Sequence, residues 1–363
     1  MQPDHSSAPP SFSDPALRRE IVEAAIRAPS GDNCQPWHFR FAGNRVEIDV
    51  LPERAKSFFD YRNRGTFLSV GAVIENIRVR AAGSGLALVV HYPDGEPGSG
   101  APAASASLLP GPSTNDGCRA RLAALHERTV NRRPFLPQRI AQEKKQAWLA
   151  SGIEGTEVTI IESRHEIARW ARVTYLGDRV RWTHPTIHRE LFAEIRFSRA
   201  EAVSKRAGLE IDRLGAGPFA APLMRWLSSW TRMAQLCRYG VDGLLANQTR
   251  ALAFCAGALV LVTIERDQPE QWIRAGEQVQ RLWITAHQQG LCVQPMPVAM
   301  YLDQRFQQEG MSNFLPGHGP LLGEMHRGLV ELLGNRVGAM LYRVGYGWRM
   351  SHPAVRLPAE SFY

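Results

Sequence analysis

The chain has 363 residues and a formal net charge of +8, with 44% hydrophobic and 21% charged residues. This is the composition of a globular protein of about two domains. The longest apolar run, Phe254 to Ile264, is about half of the ~20 residues that a spanning helix needs, which excludes an integral membrane protein. The N-terminus shows no basic or apolar region of a signal peptide, so we expect a cytoplasmic protein.

Cysteine usage agrees with a reducing compartment. The five cysteines are scattered, odd in number and without a CxxC pair; they are Cys34, Cys118, Cys237, Cys255 and Cys292. This pattern disfavours both a disulfide framework and a four-thiolate zinc site.

The basic charge comes almost entirely from arginine, since only four of the 43 basic residues are lysines. The arginines are spread along the chain with acidic residues between them, which disfavours a nucleic-acid partner. Arginine binds phosphate and planar groups through its bidentate guanidinium, so a phosphorylated small ligand accounts better for the excess.

The first third of the chain reads as a mixture of helices and strands. Residues 1–14 are polar and proline-rich, which predicts disorder. The patterns that follow predict, in order, a helix over 17–28, a hairpin of strands 37–41 and 46–51, a helix over 67–84, a strand over 86–92 and a linker over 93–116.

The rest of the chain continues the alternation and contains one unmatched stretch. Residues 178–247 favour helices, carry three of the nine tryptophans and have no counterpart in the first third. The other predicted elements are helices over 138–150, 165–176 and 273–289 and strands over 158–161 and 259–264.

Two long helix patterns indicate an internal repeat. Gly71 and Gly85 are each followed at an offset of 205 residues by Gly276 and Gly290, and a strand pattern follows each helix. Any two amphipathic helices that end at glycine look alike, which is the alternative. We predict duplication, with halves at 1–120 and at 121–177 plus 248–363, and an insertion at 178–247 that is a helical lid. The alternative for the insertion is an extension of the core or a contact with a second chain.

Two polar segments are candidates for ligand binding. The first runs from Ala28 to Trp37, where a helix ends in a turn of small residues that a flat ligand can approach. Its donors and acceptors are Ser30, Asn33 and Gln35; the alternative is an ordinary polar loop. The second segment is Arg128 to Phe135, whose three arginines suit a dianionic phosphate; the alternative is a solvated basic loop.

These segments resemble those of a known family. Ala28 to Trp37 resembles the APSxxNxQPW segment of the FMN-dependent nitroreductases, and Arg128 to Phe135 resembles their phosphate-binding segment in its Acg-type RRPF form. Leu341 to Gly347 resembles the family's C-terminal strand and turn, and Pro353 to Pro358 resembles the segment that follows it.

The resemblance implies an α+β, nitroreductase-like fold with two pseudo-symmetric halves in one chain. It implies Asn247 and Arg250 at the flavin ring, although a salt-bridged helix face is an equal alternative for that pair. The full set of implied cofactor-binding residues is Pro29, Ser30, Asn33, Gln35, Arg128, Asn131, Arg132, Arg133, Asn247, Arg250, Arg343 and Arg356.

The resemblance also implies an oxidoreductase that carries FMN. NADH or NADPH reduces the flavin and leaves, and an oxidant such as a nitroaromatic or quinone replaces it in a ping-pong mechanism. The alternative is a protein that binds or sequesters FMN with little turnover. Only one pairing of loop and arginine cluster survives in the chain, so we expect one FMN site completed within one chain. Whether two such chains also form a homodimer is left open by the sequence.

Other catalytic motifs are missing from the sequence. It contains no GxxxxGK, GxSxG or HExxH segment, which disfavours P-loop, α/β-hydrolase and zincin chemistry. His184 and His188 have the i, i+4 spacing of a metal-binding pair, but Pro185 disturbs the helix between them and no third ligand is near. We predict no metal site.

Overall fold

The computed structural model describes residues 11–97, 100–215, 217, 220–350 and 352–363. Its helices are α1 Pro15–Ala25, α2 Arg64–Ala82, α3 Asp116–Glu127, α4 Gln142–Leu149, α5 Arg164–Thr183, α6 Pro185–Glu194, α7 Arg199–Lys205, α8 Ala220–Leu227, α9 Trp230–Cys237, α10 Val241–Phe254, α11 Pro269–Gln288, α12 Val298–Glu309 and α13 Gly319–Leu333. Its strands are β1 Trp37–Ala42, β2 Arg45–Val50, β3 Leu86–His91, β4 Ala104–Pro110, β5 Thr156–Ile161, β6 Ile195–Arg196, β7 Leu209–Glu210, β8 Ala258–Ile264, β9 Cys292–Pro295 and β10 Val337–Gly345.

Two antiparallel sheets of four strands organise the chain. The first has the order β1-β2-β4-β3 and the second the order β5-β8-β10-β9, while β6 and β7 form a short parallel pair. The predicted hairpin is confirmed, since Trp37 pairs with Val50 and Ala42 with Arg45. The mixed helix and sheet class is therefore confirmed. The duplication and its boundaries stay a prediction. The presence of two sheets of equal size agrees with it.

Two long helices, α2 and α11, lie at the centre of the molecule. Helix α2 packs on α11, and both present buried side chains along almost their whole length. They cross at Gly71 and Gly276, where a Cβ atom on either residue would overlap the backbone of the other helix. The glycines of the sequence repeat thus allow the closest approach of the two helices.

The linker predicted over 93–116 is wrong in its second part, because β4 lies there. The strand consists mainly of alanine, serine and leucine, and its residues 104, 106 and 108 are buried between β2 and β3. Because alanine and serine are only weakly hydrophobic, the sequence of β4 resembles a linker, although these small side chains pack well in the core. Helix α3, which was not predicted, begins just after Asn115, whose side chain accepts a hydrogen bond from the Cys118 N–H.

The disorder predicted over 1–14 is wrong for residues 11–14; residues 1–10 lie outside the described residues. Phe12 is fully buried, and its ring centroid lies 4.9 Å from that of Phe41. Asp14 caps α1 by accepting a hydrogen bond from the Ala16 N–H. One aromatic residue in a polar segment is enough to tie the segment to the core.

The stretch over 178–247 begins inside a helix. Helix α5 runs continuously to Thr183 and packs against α10, α12 and α13. Beyond it, Leu191, Ile195 and Ile211 form a separate small hydrophobic cluster. Phe219, an aromatic residue of this stretch, lies outside the described residues. Across the described ranges, no helix is both long and apolar enough to cross a membrane.

Candidate cofactor pocket

A cavity of about 620 Å³ is lined by several parts of the chain, among them the loop after α1, the segment after α3, residues 178–227 and the C-terminal segment. The volume is within the range of pockets that bind small molecules and cofactors, roughly 300–1,000 Å³. Of the predicted site residues, those that line it are Pro29, Ser30, Asn33, Arg128, Arg132 and Arg356.

The loop after α1 is backbone-strained where it faces the cavity. Asp32, Asn33 and Gln35 have φ angles of +47°, +60° and +52°, which L-residues rarely adopt. The loop is held from inside, because the Ser30 Oγ accepts a hydrogen bond from the Gln35 N–H at 3.0 Å. The C-terminal segment holds it from outside, since the Asn33 amide donates to the Val355 carbonyl at 3.0 Å. Strain of this kind is typical of ligand-binding sites.

Gln35 is a correction to the predicted ligand set. Its side chain is fully buried outside the lining of the cavity. The amide donates to the carbonyls of Asn33 at 3.1 Å and Arg206 at 2.9 Å, and its oxygen accepts from the Leu357 N–H at 3.0 Å. Because every polar atom of the amide is used within the protein, Gln35 joins three chain segments and has no donor left for a ligand.

Arg356 and Arg128 are held at the cavity by backbone carbonyls. Arg356 donates to the carbonyls of Ile26 at 2.8 Å and Ala28 at 3.0 Å and to the side chain of Asn33. Arg128 donates to the Arg27 carbonyl. Its guanidinium also lies 4.5 Å from the ring centroid of Trp283. Neutral partners orient both guanidinium groups without neutralising them.

The arginines at this end of the cavity repel one another. Burial and the nearby Arg27 lower the pKa of Arg128 to about 9. Burial lowers the pKa of Arg132 to about 10, although Asp32 opposes the change. Burial and the surrounding arginines hold the pKa of Arg356 well below its usual range. None of these three forms an ion pair within the part of the chain that the structure describes.

The donors of this cluster fit an anion. Among the described residues, the buried Nε atoms of Arg27, Arg128 and Arg181 have no hydrogen-bond partner. Eight cationic and six acidic side chains line the cavity, a formal excess of two positive charges; they are Arg27, Arg54, Lys56, Arg128, Arg132, Arg181, Arg213 and Arg356, and Asp32, Asp60, Asp178, Glu190, Glu194 and Glu210. A phosphate monoester carries about −1.5 to −2 at pH 7 and matches this excess.

Acidic residues line the same cavity, and Asp32 is close enough to Arg132 for the two charges to interact. Burial raises the pKa values of Asp32, Glu190 and Glu194. Glu190 accepts a hydrogen bond from the Phe58 N–H at 2.8 Å, and Glu194 pairs with Arg196 at 2.9 Å. The part of the cavity at Arg128, Arg132 and Arg356 is called its cationic end below.

The structure does not bring Asn131, Arg133 and Arg343 into the cavity lining. Arg343 is fully buried and donates to the carbonyls of Asn131 at 3.2 Å and Arg133 at 2.6 Å. Its guanidinium lies 3.9 Å from the ring centroid of Phe135. The Asn131 amide donates to the Trp348 carbonyl at 2.8 Å, and the Arg133 side chain is exposed. Arg343 and Asn131 thus shape the segment that carries Arg132.

Asn247 and Arg250 also lie outside the cavity lining. Both lie on α10 and are exposed, whereas the face of α10 that lines the cavity carries Leu245, Gln248, Thr249 and Leu252. Successive residues of a helix point about 100° apart, so an assignment that is one position off leaves the face altogether.

Five cationic residues of the cavity lining were not predicted; they are Arg27, Arg54, Lys56, Arg181 and Arg213. Arg27 lies directly before the Ala28-Pro29 dipeptide, so its position beside the predicted loop was a usable signal. Arg213 lies in residues 178–247, and no local pattern connects it with the Arg128 segment. Only the folding of one segment onto the other brings the two together.

His184 and His188 serve the packing of α6. The His184 Nε2 lies 2.8 Å from the Asn313 carbonyl, and its Nδ1 accepts from the Thr186 N–H at 3.2 Å. The His188 Nε2 lies 2.9 Å from the Leu227 carbonyl. Within the described ranges, no group of three or more histidine, cysteine or acidic side chains is arranged to hold a metal.

Comparison with known proteins gives relatives but no matching family model. An uncharacterized protein of Mycobacterium tuberculosis is 29% identical over 299 residues, which are 81% of this chain and 41% of that protein. A protein named NAD(P)H nitroreductase acg, from the same species, is 26% identical over 178 residues, 48% of this chain and 52% of that protein. The chain thus spans about half or less of the length of these two relatives.

A third relative aligns along most of its length. A protein named NAD(P)H nitroreductase PigM, from a Serratia species, is 23% identical over 309 residues, 77% of this chain and 79% of that protein. Among solved structures, an FMN-bound nitroreductase of Desulfitobacterium hafniense has a TM-score of 0.33 at 14% identity and covers 66% of this chain and 94% of its own. Two of these three sequence relatives are thus named as nitroreductases.

Proposed function

We propose that the protein is an FMN-dependent oxidoreductase that uses NADH or NADPH to reduce a nitroaromatic, a quinone or a similar oxidant. The observation that carries the proposal is the group of arginines Arg128, Arg132 and Arg356 in one cavity, whose whole lining has two more cationic than acidic side chains. Buried charges of one sign require a counter-charge, and a phosphate monoester supplies it. The names of the acg and PigM relatives support the same reaction class.

We propose a place for each part of the cofactor. Arg128, Arg132 and Arg356 would hold the phosphate, and Pro29 and Ser30 would lie beside the ring, where the strained loop approaches the cavity. Asn33 lies at the junction, because its side chain binds Arg356 and Val355. FMN when bound accepts a hydride from a nicotinamide and passes electrons on to an oxidant.

The protein itself would bind and orient the cofactor and exclude water from the cavity. Charged hydrogen bonds to phosphate contribute about 1.5–3 kcal/mol each, and this end of the cavity also provides positive charge that stabilises anionic groups. Apolar side chains of α6 and α8, such as Leu191 and Leu227, line the remaining wall. We propose that reductant and oxidant occupy the same space in turn, as a ping-pong mechanism requires.

Residues 178–247 are proposed as a lid over this space. Trp182, Leu191 and Met224 line the cavity from this stretch. Such a cover excludes water from the reacting groups and restricts access by size. The stretch also supports the second candidate, a protein that holds FMN with little turnover, because the same cover keeps substrates out.

The proposed stoichiometry is one FMN per chain. The cavity takes its loop from the first predicted half and Arg128 and Arg356 from the second. At the repeat offset of 205 residues, Arg78 replaces the cavity residue Trp283. Arg78 forms ion pairs with the buried Glu75 at 2.6 Å and Glu277 at 2.5 Å. An ion network thus fills the equivalent position.

Spectroscopy and kinetics of the purified protein test the proposal. We expect bound flavin in its absorbance spectrum, about one FMN per chain after heat release, and parallel double-reciprocal plots when NADPH and a quinone are varied. Flavin without turnover for NADH or NADPH with several oxidants would favour the FMN-holding protein. Failure of the protein to bind added FMN would contradict both candidates, and two FMN per chain would contradict the single site.

A further inference from the structure

Residues 178–247 place one buried arginine at the cationic end of the cavity. Arg213 lies at the end of a 3-10 turn, is 6% exposed and lines the cavity. Its guanidinium donates to the His352 carbonyl through one nitrogen, and within the described residues no hydrogen bond of its other two nitrogens is seen. Burial lowers the pKa of Arg213 despite the opposing charge of Glu210. Its own charge lowers the pKa of Arg27, so the two cations lie within electrostatic reach.

The backbone around Arg213 is also in direct contact with the phosphate segment. The Arg132 guanidinium donates to the Arg213 carbonyl at 3.3 Å. Gly215 has a φ of +74°, and a Cβ atom there would lie 2.8 Å from the Arg132 carbonyl oxygen. Only glycine allows this approach. On the other side, the Gln35 amide donates to the Arg206 carbonyl at 2.9 Å. Residues 206–215 therefore touch both the Arg128 segment and the loop after α1.

We propose that Arg213 is a further phosphate-binding residue and that the phosphate holds residues 206–215 against the cavity. The inference rests on the proposed FMN function and adds a cofactor contact from the stretch at 178–247. Like charges in a buried cluster repel one another, whereas a dianion among them attracts each one. Since Arg213 belongs to a different chain segment from Arg128 and Arg356, the phosphate links these segments. Binding and closure of this part of the lid then stabilise each other.

FMN and riboflavin differ only in the phosphate, so a comparison of their affinities distinguishes a phosphate contact of Arg213 from a packing role. The variants are Arg213→Gln and, as the matched control, Arg225→Gln. Arg225 lies on α8, is exposed and lies outside the cavity lining, with its guanidinium 4.8 Å from the ring centroid of Phe197. Both variants remove one positive charge from residues 178–247. Circular dichroism and thermal unfolding check that each variant is folded.

The expected result is a loss that is specific to the phosphate. Measured by flavin fluorescence, Arg213→Gln binds FMN about tenfold or more weakly, Arg225→Gln binds it as the wild type does, and riboflavin affinity is the same in all three proteins. Arg213→Lys, which keeps the charge, recovers part of the affinity. Equal FMN affinity of Arg213→Gln and Arg225→Gln would overturn the inference.

Hydrogen exchange of the wild type tests the coupling without any variant. We expect FMN to slow exchange at residues 206–215 and riboflavin to leave it unchanged, while millimolar inorganic phosphate gives partial protection. Equal protection by FMN and riboflavin would overturn the coupling. If the wild type binds FMN no more tightly than riboflavin, the proposed phosphate site itself fails, which is distinct from failure of the Arg213 assignment alone.

Discussion

Gly71 and Gly276 lie against each other where α2 crosses α11. A Cβ atom on Gly71 would lie 2.8 Å from the Gly276 Cα and only 1.8 Å from the Ile273 carbonyl oxygen. Both atoms belong to helix backbone, which cannot rotate away as a side chain can. The two central helices can therefore pack this closely only because neither Gly71 nor Gly276 has a Cβ atom.

Gly71→Ala is expected to destabilise the protein strongly. Overpacking a core costs about 1–3 kcal/mol when side chains adjust, and a backbone overlap is at the upper end or above it. Urea unfolding gives the free energy. Gly317→Ala is the control, because a Cβ atom there has nothing within 4 Å. A Gly71→Ala protein within about 0.5 kcal/mol of the wild type would contradict the tight crossing.

The arginines predicted to bind phosphate are expected to separate into two groups. Arg128→Gln should weaken FMN binding about ten- to hundredfold, since a charged hydrogen bond contributes roughly 1.5–3 kcal/mol. Arg133→Gln should retain FMN, because Arg133 is exposed and lies outside the cavity lining. Flavin content after dialysis measures the difference, and circular dichroism confirms the fold. Equal loss in both variants would place the phosphate elsewhere on the segment.

His318 is expected to make stability depend on pH in the acidic range. Burial and the neighbouring His184 lower the pKa of His318 to about 4. The unfolded chain takes up its proton near pH 6.5 and the folded protein only near pH 4, so the contribution to stability is complete above pH 6.5. It decreases by up to roughly 1.4 kcal/mol per pH unit as the pH falls towards 4.

Replacement of this histidine isolates its contribution from that of other groups. The difference in unfolding free energy between the wild type and His318→Gln should become smaller as the pH falls from 6.5 to 4. The exposed His165 provides the control variant, His165→Gln. A difference that stays constant over this range would mean that His318 is not held neutral in the folded protein.

Trp182 tests the proposed lid. Its side chain lines the cavity and lies within the predicted insertion, so Trp182→Ala should widen access. Stopped-flow measurement of flavin reduction should show a larger rate increase with a bulky donor than with a small one. Trp226→Ala serves as the control, because Trp226 is 47% exposed and lies outside the cavity lining. Equal changes for both donors would indicate that Trp182 does not limit access.

Much of the fold follows from local patterns. The helices α2 and α11 were recognisable because apolar residues at helical spacing end at glycine, and the β1–β2 hairpin because its residues alternate around Gly43. The ligand loop at Ala28–Asn33 was also recognisable, since its turn chemistry lies in consecutive residues. In each case the information lies within one helix, one hairpin or one turn.

Other features depend on which segments meet. β4 is a strand because β2 and β3 flank it, although its alanines and serines carry little strand signal of their own. Arg343 has the same chemistry as Arg356, but full burial against Phe135 makes it a support for the Arg128 segment. Arg213 lines the cavity because its segment packs on Arg132. The Arg132 guanidinium donates to the Arg213 carbonyl, and Gly215 lies against the Arg132 carbonyl. The sequence by itself determined the elements and the types of charge, whereas tertiary packing decided which charges share one buried, low-dielectric space.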